Sequence, residues 1–279
     1  MKIVTLILAA ACITASCNNS ANHKKEGETG AQTSVTPDIK EETVNYMDKG
    51  DTLRGFIAWD AASAKKRPAI LIVHEWWGLT DYTKMRAREL AKLGYVAMAL
   101  DMYGKGKIAE DPKTALEYAM PWYKDPVAAK RRIEAAAATV KANPNTDTSQ
   151  LVAIGYCFGG SMVLNTARLG ADLKGVVSFH GGLEGGVVPQ KGLTKADILV
   201  CNGEADSFVT PDQIATFKKQ LDSVGAHYTF KQYPGALHAF TNPASTENGK
   251  KFNMPIAYNA AADTASWKDM QDFLRTILK

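Results

Sequence analysis

The chain has 279 residues, 46% of them hydrophobic, and a net charge of +4 from 33 basic and 29 acidic side chains. The charges are interspersed, and no basic cluster carries interleaved aromatics, so a nucleic-acid partner has no support. Beyond the N-terminus, no apolar run approaches the ~20 residues that a membrane-spanning helix needs.

Lys2 followed by the apolar run Ile3 to Ala11 reads as the positive and hydrophobic parts of an export signal, too short to span a bilayer. The run ends in Thr14-Ala15-Ser16-Cys17, which resembles a bacterial lipoprotein processing site with Cys17 as the lipidated residue. Thr14 stands where such sites usually carry Leu, and cleavage nearby without lipidation is the alternative. The expectation is an exported protein, periplasmic or at the cell surface, that meets a membrane only through a lipid on Cys17. Residues 18–40 are rich in Asn, Ser, Lys, Glu, Gly and Thr and read as a flexible linker that cannot bury enough apolar surface to fold. The remaining residues 41–279 suit one large domain.

That domain opens on a predicted β-hairpin, Val44 to Trp59, turning at Asp48-Lys49-Gly50-Asp51. Ala69 to Val73 is a short, continuously apolar strand of the kind buried on both faces of a parallel sheet. A helix over Thr80–Leu93 leads to the strand Tyr95–Leu100, and a second helix runs from Asp125 to Ala142. Leu151–Ile154, Gly175–Phe179 and Ile198–Cys201 read as further strands, with a helix over Ser161–Leu169 between the first two. A helix over Pro211–Val224 is opened by Thr210 as N-cap, Tyr228–Tyr233 is a strand, and Ser266–Leu278 a closing helix. Strands alternating with helices predict an α/β fold with a mostly parallel central sheet and helices on both faces. The segments 103–124 and 182–196 read as pocket-shaping loops with no legible pattern.

Gly155-Tyr156-Cys157-Phe158-Gly159, directly after an apolar strand, reads as a nucleophile elbow. In an open sheet of this type, reactive groups gather at the carboxyl ends of the strands. The residues in those loops are Glu75, Asp101, Cys157, His180, Asp206 and His238. A thiol needs a base to become a thiolate, and the base needs an orienting acid. Cys157, Asp206 and His238 supply nucleophile, acid and histidine in the chain order of α/β-hydrolases. Asp206 also suits a plain turn, and His180 competes for the base but comes early in the chain, so it is expected to pack near the pocket floor. A Cys157–Cys201 disulfide or two inert core thiols are the alternatives for the two body cysteines. Glu75 leaves a buried strand beside Trp76 and Trp77, where a partly desolvated carboxyl could exchange a proton with Cys157. The alternative is a solvated carboxylate at a loop start. The backbone N–H groups of Trp76 and Phe158 are the expected oxyanion donors. His74 beside Glu75 lacks the i, i+4 spacing of a metal-binding helix, so no metal is expected.

Glu75-Trp76-Trp77-Gly78, Asp101-Met102-Tyr103, the cysteine elbow through Gly160, the Gly203-to-Asp206 turn and His238-Ala239-Phe240 together resemble the dienelactone hydrolase family over residues 41–279. The resemblance implies the α/β-hydrolase fold and a Cys157–His238–Asp206 triad. It also implies that Glu75 governs thiol ionisation. Two arginines that hold the substrate carboxylate in dienelactone-cleaving members fall here at Lys105 and Asn242, which are the expected substrate-binding positions. Lys105 keeps charge without the bidentate fork, and Asn242 keeps neither. The expected activity is cysteine-dependent hydrolysis of a small-molecule ester or lactone through a thioester, without a cofactor. A thioesterase, a polysaccharide acyl esterase and a non-catalytic binding lipoprotein are the alternatives.

Overall fold

A computed structural model describes residues 36–62 and 64–279. The export signal, Cys17 and residues 18–35 of the expected linker lie outside the described residues. The first strand, β1 (Ile39–Asp48), begins two residues inside the stretch read as linker, pairing antiparallel with β2 (Asp51–Asp60) in the expected hairpin.

The sheet continues through β3 (Arg67–Val73), β4 (Val96–Leu100), β5 (Thr146–Tyr156), β6 (Gly175–Phe179), β7 (Asp197–Gly203) and β8 (Tyr228–Tyr233). Its eight strands lie in the order β1-β2-β4-β3-β5-β6-β7-β8. The two pairings made by β2 are antiparallel and all the others are parallel. The described residues also form seven helices, α1 (Asp81–Lys92), α2 (Pro112–Lys124), α3 (Pro126–Lys141), α4 (Phe158–Arg168) and α5 (Pro211–Val224) between strands, and α6 (Ser245–Phe252) and α7 (Ala260–Ile277) after the last of them.

Alternation along the strands divides the core between the two faces of the sheet. Leu71 and Val73 of β3 belong to a cluster completed by Ile133 of α3, Met162 of α4 and Leu221 of α5. Ile70 and Ile72 point the other way, into a cluster with Leu90 of α1 and Met270 and Leu274 of α7. Strands covered on both faces read as unbroken apolar runs, which is why Ala69–Val73 carries no polar residue. This is the α/β-hydrolase fold, and it sets the loops at the carboxyl ends of β3, β5, β7 and β8 along one edge.

Three helical segments differ from the sequence-based expectation. The segment 103–124 contains α2, capped by the Asp111 side chain, which accepts from the Thr114 N–H at 3.0 Å, and interrupted in its pattern by Pro121. The helix α6 was not expected. The closing helix starts six residues early, at Ala260, because the Asn259 side chain accepts from the Ala262 N–H and caps it there. In α5, by contrast, Thr210 forms the N-cap the sequence announces, completed to a capping box by Gln213.

Candidate active site

β5 ends at Tyr156 and α4 begins at Phe158, so Cys157 alone makes the turn, at φ +54° and ψ −115°. A non-glycine residue in that region is strained and persists only where its surroundings fix it. They do so tightly. A Cβ on Gly155 would fall 2.1 Å from the Gly159 carbonyl oxygen, and one on Gly159 would fall 2.2 Å from that of Val73. The Cys157 N–H donates to the Phe179 carbonyl at 3.0 Å and to His180 Nδ1 at 3.1 Å. Cys157 and Cys201 are both free thiols, so the alternative disulfide is excluded.

Asp206 follows β7 and His238 follows β8. His238 Nδ1 lies 2.8 Å from Asp206 Oδ2, and its Nε2 lies 3.1 Å from Cys157 Sγ. The other Asp206 oxygen accepts from the Phe208 N–H at 2.9 Å, so the buried carboxylate is held from both ends. Burial alone would lower the His238 pKa. The facing Cys157 sulfur and the hydrogen bonds that His238 makes to Asp206 and Cys157 outweigh it and raise the pKa to about 10. An imidazole so placed keeps its proton at neutral pH and offers it toward the sulfur.

Glu75, just past β3, is buried rather than solvated and lines the same cavity as Cys157 and His238. Burial pushes its carboxyl up to about 7, against the opposing effects of an Asn242 hydrogen bond and of the charges on His238 and Arg86. Asn242, an expected substrate-binding position, is outside the cavity lining, and its Nδ2 donates to Glu75 Oε2 at 2.6 Å. Lys105 is likewise outside the lining. It is exposed, at φ +57°, with its backbone N–H on the Thr52 carbonyl. Trp76 lines the cavity beside Glu75, and Phe158 is the first residue of α4, where backbone N–H groups have no partner within the helix.

Three other residues from the same loops are structural. Asp101 gathers four backbone N–H groups, from Arg54, Tyr103, Gly104 and Gly106, at 2.8–3.0 Å, and so shapes the turn after β4. His74 has Nδ1 against the Glu75 carbonyl and Nε2 accepting from the Met102 N–H, with burial depressing its pKa to about 4. Neither ring nitrogen is left for a metal. His180 is fully buried behind the elbow, with Nε2 at 2.8 Å from Thr241 Oγ1, and burial holds it neutral.

The match to known proteins agrees with this geometry: residues 53–278 match the model of the dienelactone hydrolase family. The chain belongs to the dienelactone hydrolase family. It is similar to the crystal structure of a dienelactone hydrolase-like promiscuous phosphotriesterase from metagenomic libraries, at 31% identity and a TM-score of 0.79, covering 86% of this chain and 98% of that one. A candidate carboxymethylenebutenolidase of Aquifex aeolicus is 26% identical over 246 residues, which are 85% of this chain and 98% of the relative. A Bradyrhizobium protein described as a probable 2-oxo-3-(5-oxofuran-2-ylidene)propanoate lactonase is 27% identical over 255 residues, 86% and 96% of the two chains. This dienelactone hydrolase family member is accordingly an enzyme that hydrolyses ester or lactone bonds.

The hydrolase's pocket also holds residues the sequence did not announce. Leu116 and Tyr123 enter from α2, and Met254 and Ile256 from the segment after α6, tied to the site by an Ala257 N–H donating to the His238 carbonyl. Phe208 sets its ring edge-on to His238 at 5.0 Å. Only α2 left a usable signal, in Asp111-Pro112 as a helix opening.

Proposed function

We propose that Cys157, His238 and Asp206 act as nucleophile, base and orienting acid in the hydrolysis of small carboxylic esters or lactones through a thioester. The carrying observation is the unbroken line Asp206 Oδ2 to His238 Nδ1 at 2.8 Å and His238 Nε2 to Cys157 Sγ at 3.1 Å. His238 stabilises the thiolate, whose sulfur attacks the carbonyl carbon while the carbonyl π pair moves onto oxygen. The N–H groups of Trp76 and Phe158 receive that oxyanion. On collapse the C–O bond breaks and the leaving oxygen takes the proton from His238. The neutral imidazole then removes a proton from water, whose oxygen attacks the thioester. The C–S bond breaks, returning the thiolate and releasing the acid. The cycle balances without a cofactor.

The test is turnover of phenyl esters and simple lactones, with mass mapping of acylated peptides. Cys157→Ala or His238→Ala should lower kcat by on the order of 10³-fold with the far-ultraviolet circular dichroism unchanged. The His238→Ala enzyme should accumulate an acyl group on the Cys157 peptide. Undiminished turnover by Cys157→Ala, or acylation of another residue, sinks the proposal. Attachment to a membrane through a lipid on Cys17 belongs to the same reading and rests on residues 2–17 alone; metabolic labelling with palmitate, lost in Cys17→Ser, tests it.

A further inference from the structure

Above Cys157 lies a cavity of about 260 Å³ walled by Trp76, Trp77, Leu116, Phe208, Met254 and Ile256. Its titratable lining groups are Glu75, Tyr123, Cys157 and His238, and among the described residues no lysine or arginine lines it. Lys113 and Lys124, close in sequence to Leu116 and Tyr123, are exposed and outside the lining, and three further cations are engaged elsewhere. Lys107 Nζ sits 5.3 Å over the Tyr118 ring, and Lys251 Nζ 4.7 Å over that of Phe252. Arg86 pairs with Asp263 and Glu89. Asn242 is outside the lining, and one N–H of its amide is engaged by Glu75.

We propose that this site takes uncharged esters or lactones with an apolar acyl group and discriminates against substrates that carry a carboxylate. The inference rests on the hydrolytic reading above and names the substrate class of the same site. A carboxylate entering this cavity exchanges water for tryptophan, leucine, methionine and isoleucine side chains and finds no lysine or arginine in the lining, which is costly for an ion without a partner of its own. It also approaches the Glu75 carboxyl, a like charge whenever that group is ionised. The protonated His238 is already paired with the buried Asp206 carboxylate, and its other nitrogen faces Cys157. An alkyl or aryl group loses nothing by the same transfer and gains apolar burial.

The experiment compares phenyl hexanoate with monophenyl adipate, six-carbon acyl chains that end in a methyl and a carboxylate, on the full-length protein at pH 7.5. The expected kcat/KM ratio favours the hexanoate by on the order of 100-fold. A ratio near one, or a preference for the adipate, overturns the inference. A second measurement is independent of turnover: protection of Cys157 from iodoacetamide by 2-heptanone and by 6-oxoheptanoate. The neutral ketone should protect at the lower concentration, and equal protection overturns the inference even if no ester is cleaved. Absent turnover with selective protection by the neutral ketone overturns only the hydrolytic reading. Leu116 is half-exposed at the rim, so Leu116→Arg adds a cation without burying it. It should narrow the hexanoate-to-adipate ratio about fivefold, and an unchanged ratio also counts against the missing countercharge as the cause.

Discussion

Asn242 Nδ2 donates to Glu75 Oε2 at 2.6 Å across 167 residues of sequence, so an uncharged amide holds a buried carboxyl that lines the same cavity as the nucleophile. The hydrogen bond favours the carboxylate, yet burial still lifts Glu75 to about 7. An ionised Glu75 in the cavity that holds the thiol disfavours the thiolate. The rate of Cys157 alkylation by iodoacetamide should therefore inflect near pH 7. Asn242→Ala removes the favouring hydrogen bond and should move the inflection alkaline by on the order of one pH unit. Glu75→Gln should abolish it. Superimposable profiles for wild type and Asn242→Ala would remove Asn242 from the control of Glu75.

The same raised pKa has a cost in stability. Glu75 moves from an ordinary value of 4.5 to about 7 on folding, so the folded state holds the proton more tightly. Stability from this group is intact below pH 4.5, falls as pH rises through 7, and stays reduced above it. The shift corresponds to about 3 kcal/mol at alkaline pH. Glu75→Gln can still accept the Asn242 hydrogen bond while carrying no charge. It should raise Tm by up to roughly 5–10 °C at pH 8 and by little at pH 4.5. A gain of the same size at both values would mean that packing, not ionisation, sets the effect.

The parts of this protein that were legible in its sequence share a physical property: each imposes a local pattern. Apolar runs such as Ala69–Val73 announce strands covered on both faces, and Thr210-Pro211 announces a helix start. The elbow glycines are forced by backbone contact with Gly159 and Val73. What was missed depends on long-range contact. Nothing near Asn242 reveals that its amide belongs to Glu75. Phe208, Met254 and Ile256 become pocket walls only after β7 and β8 bring their loops together. Pro121 masked α2, and the glycine and charges of α6 hid an eight-residue helix whose Gly249 packs against the Ile256 carbonyl.

The elbow's geometry makes a sharper prediction than its chemistry. A methyl group on Gly159 meets the backbone oxygen of Val73 at 2.2 Å, and backbone cannot rotate aside as a side chain can. Gly159→Ala must therefore push α4 away from β3, disturbing the turn that carries Cys157. A loss of roughly 2–4 kcal/mol is expected in urea unfolding, with kcat falling as the Sγ-to-imidazole distance grows. Gly186→Ala is the control: unlike Gly159 it has a positive φ, +66°, and no atom lies within 4 Å of the added carbon. It should cost about 1 kcal/mol from strain alone and leave kcat unchanged. Equal losses for the two would show that the close approach at Gly159 is relieved cheaply.

Two free thiols in one domain should differ sharply in reactivity. Cys157 faces the cavity and the His238 imidazole, whereas Cys201 is fully buried in β7. Burial pushes the Cys201 thiol up to about 12, against a hydrogen bond from the Tyr233 hydroxyl at 3.4 Å. A thiol protonated and shielded in this way is a poor nucleophile. Peptide mapping after brief iodoacetamide treatment at pH 7.5 should find the Cys157 peptide fully modified and the Cys201 peptide unmodified until denaturant is added. In Cys201→Ala the Tyr233 hydroxyl keeps its 2.8 Å bond to Asp269, so no polar group is orphaned. That variant should lose about 1 kcal/mol for the small void and keep kcat within about twofold. Native modification of Cys201, or loss of turnover in Cys201→Ala with the fold intact, would move the chemistry to the wrong sulfur.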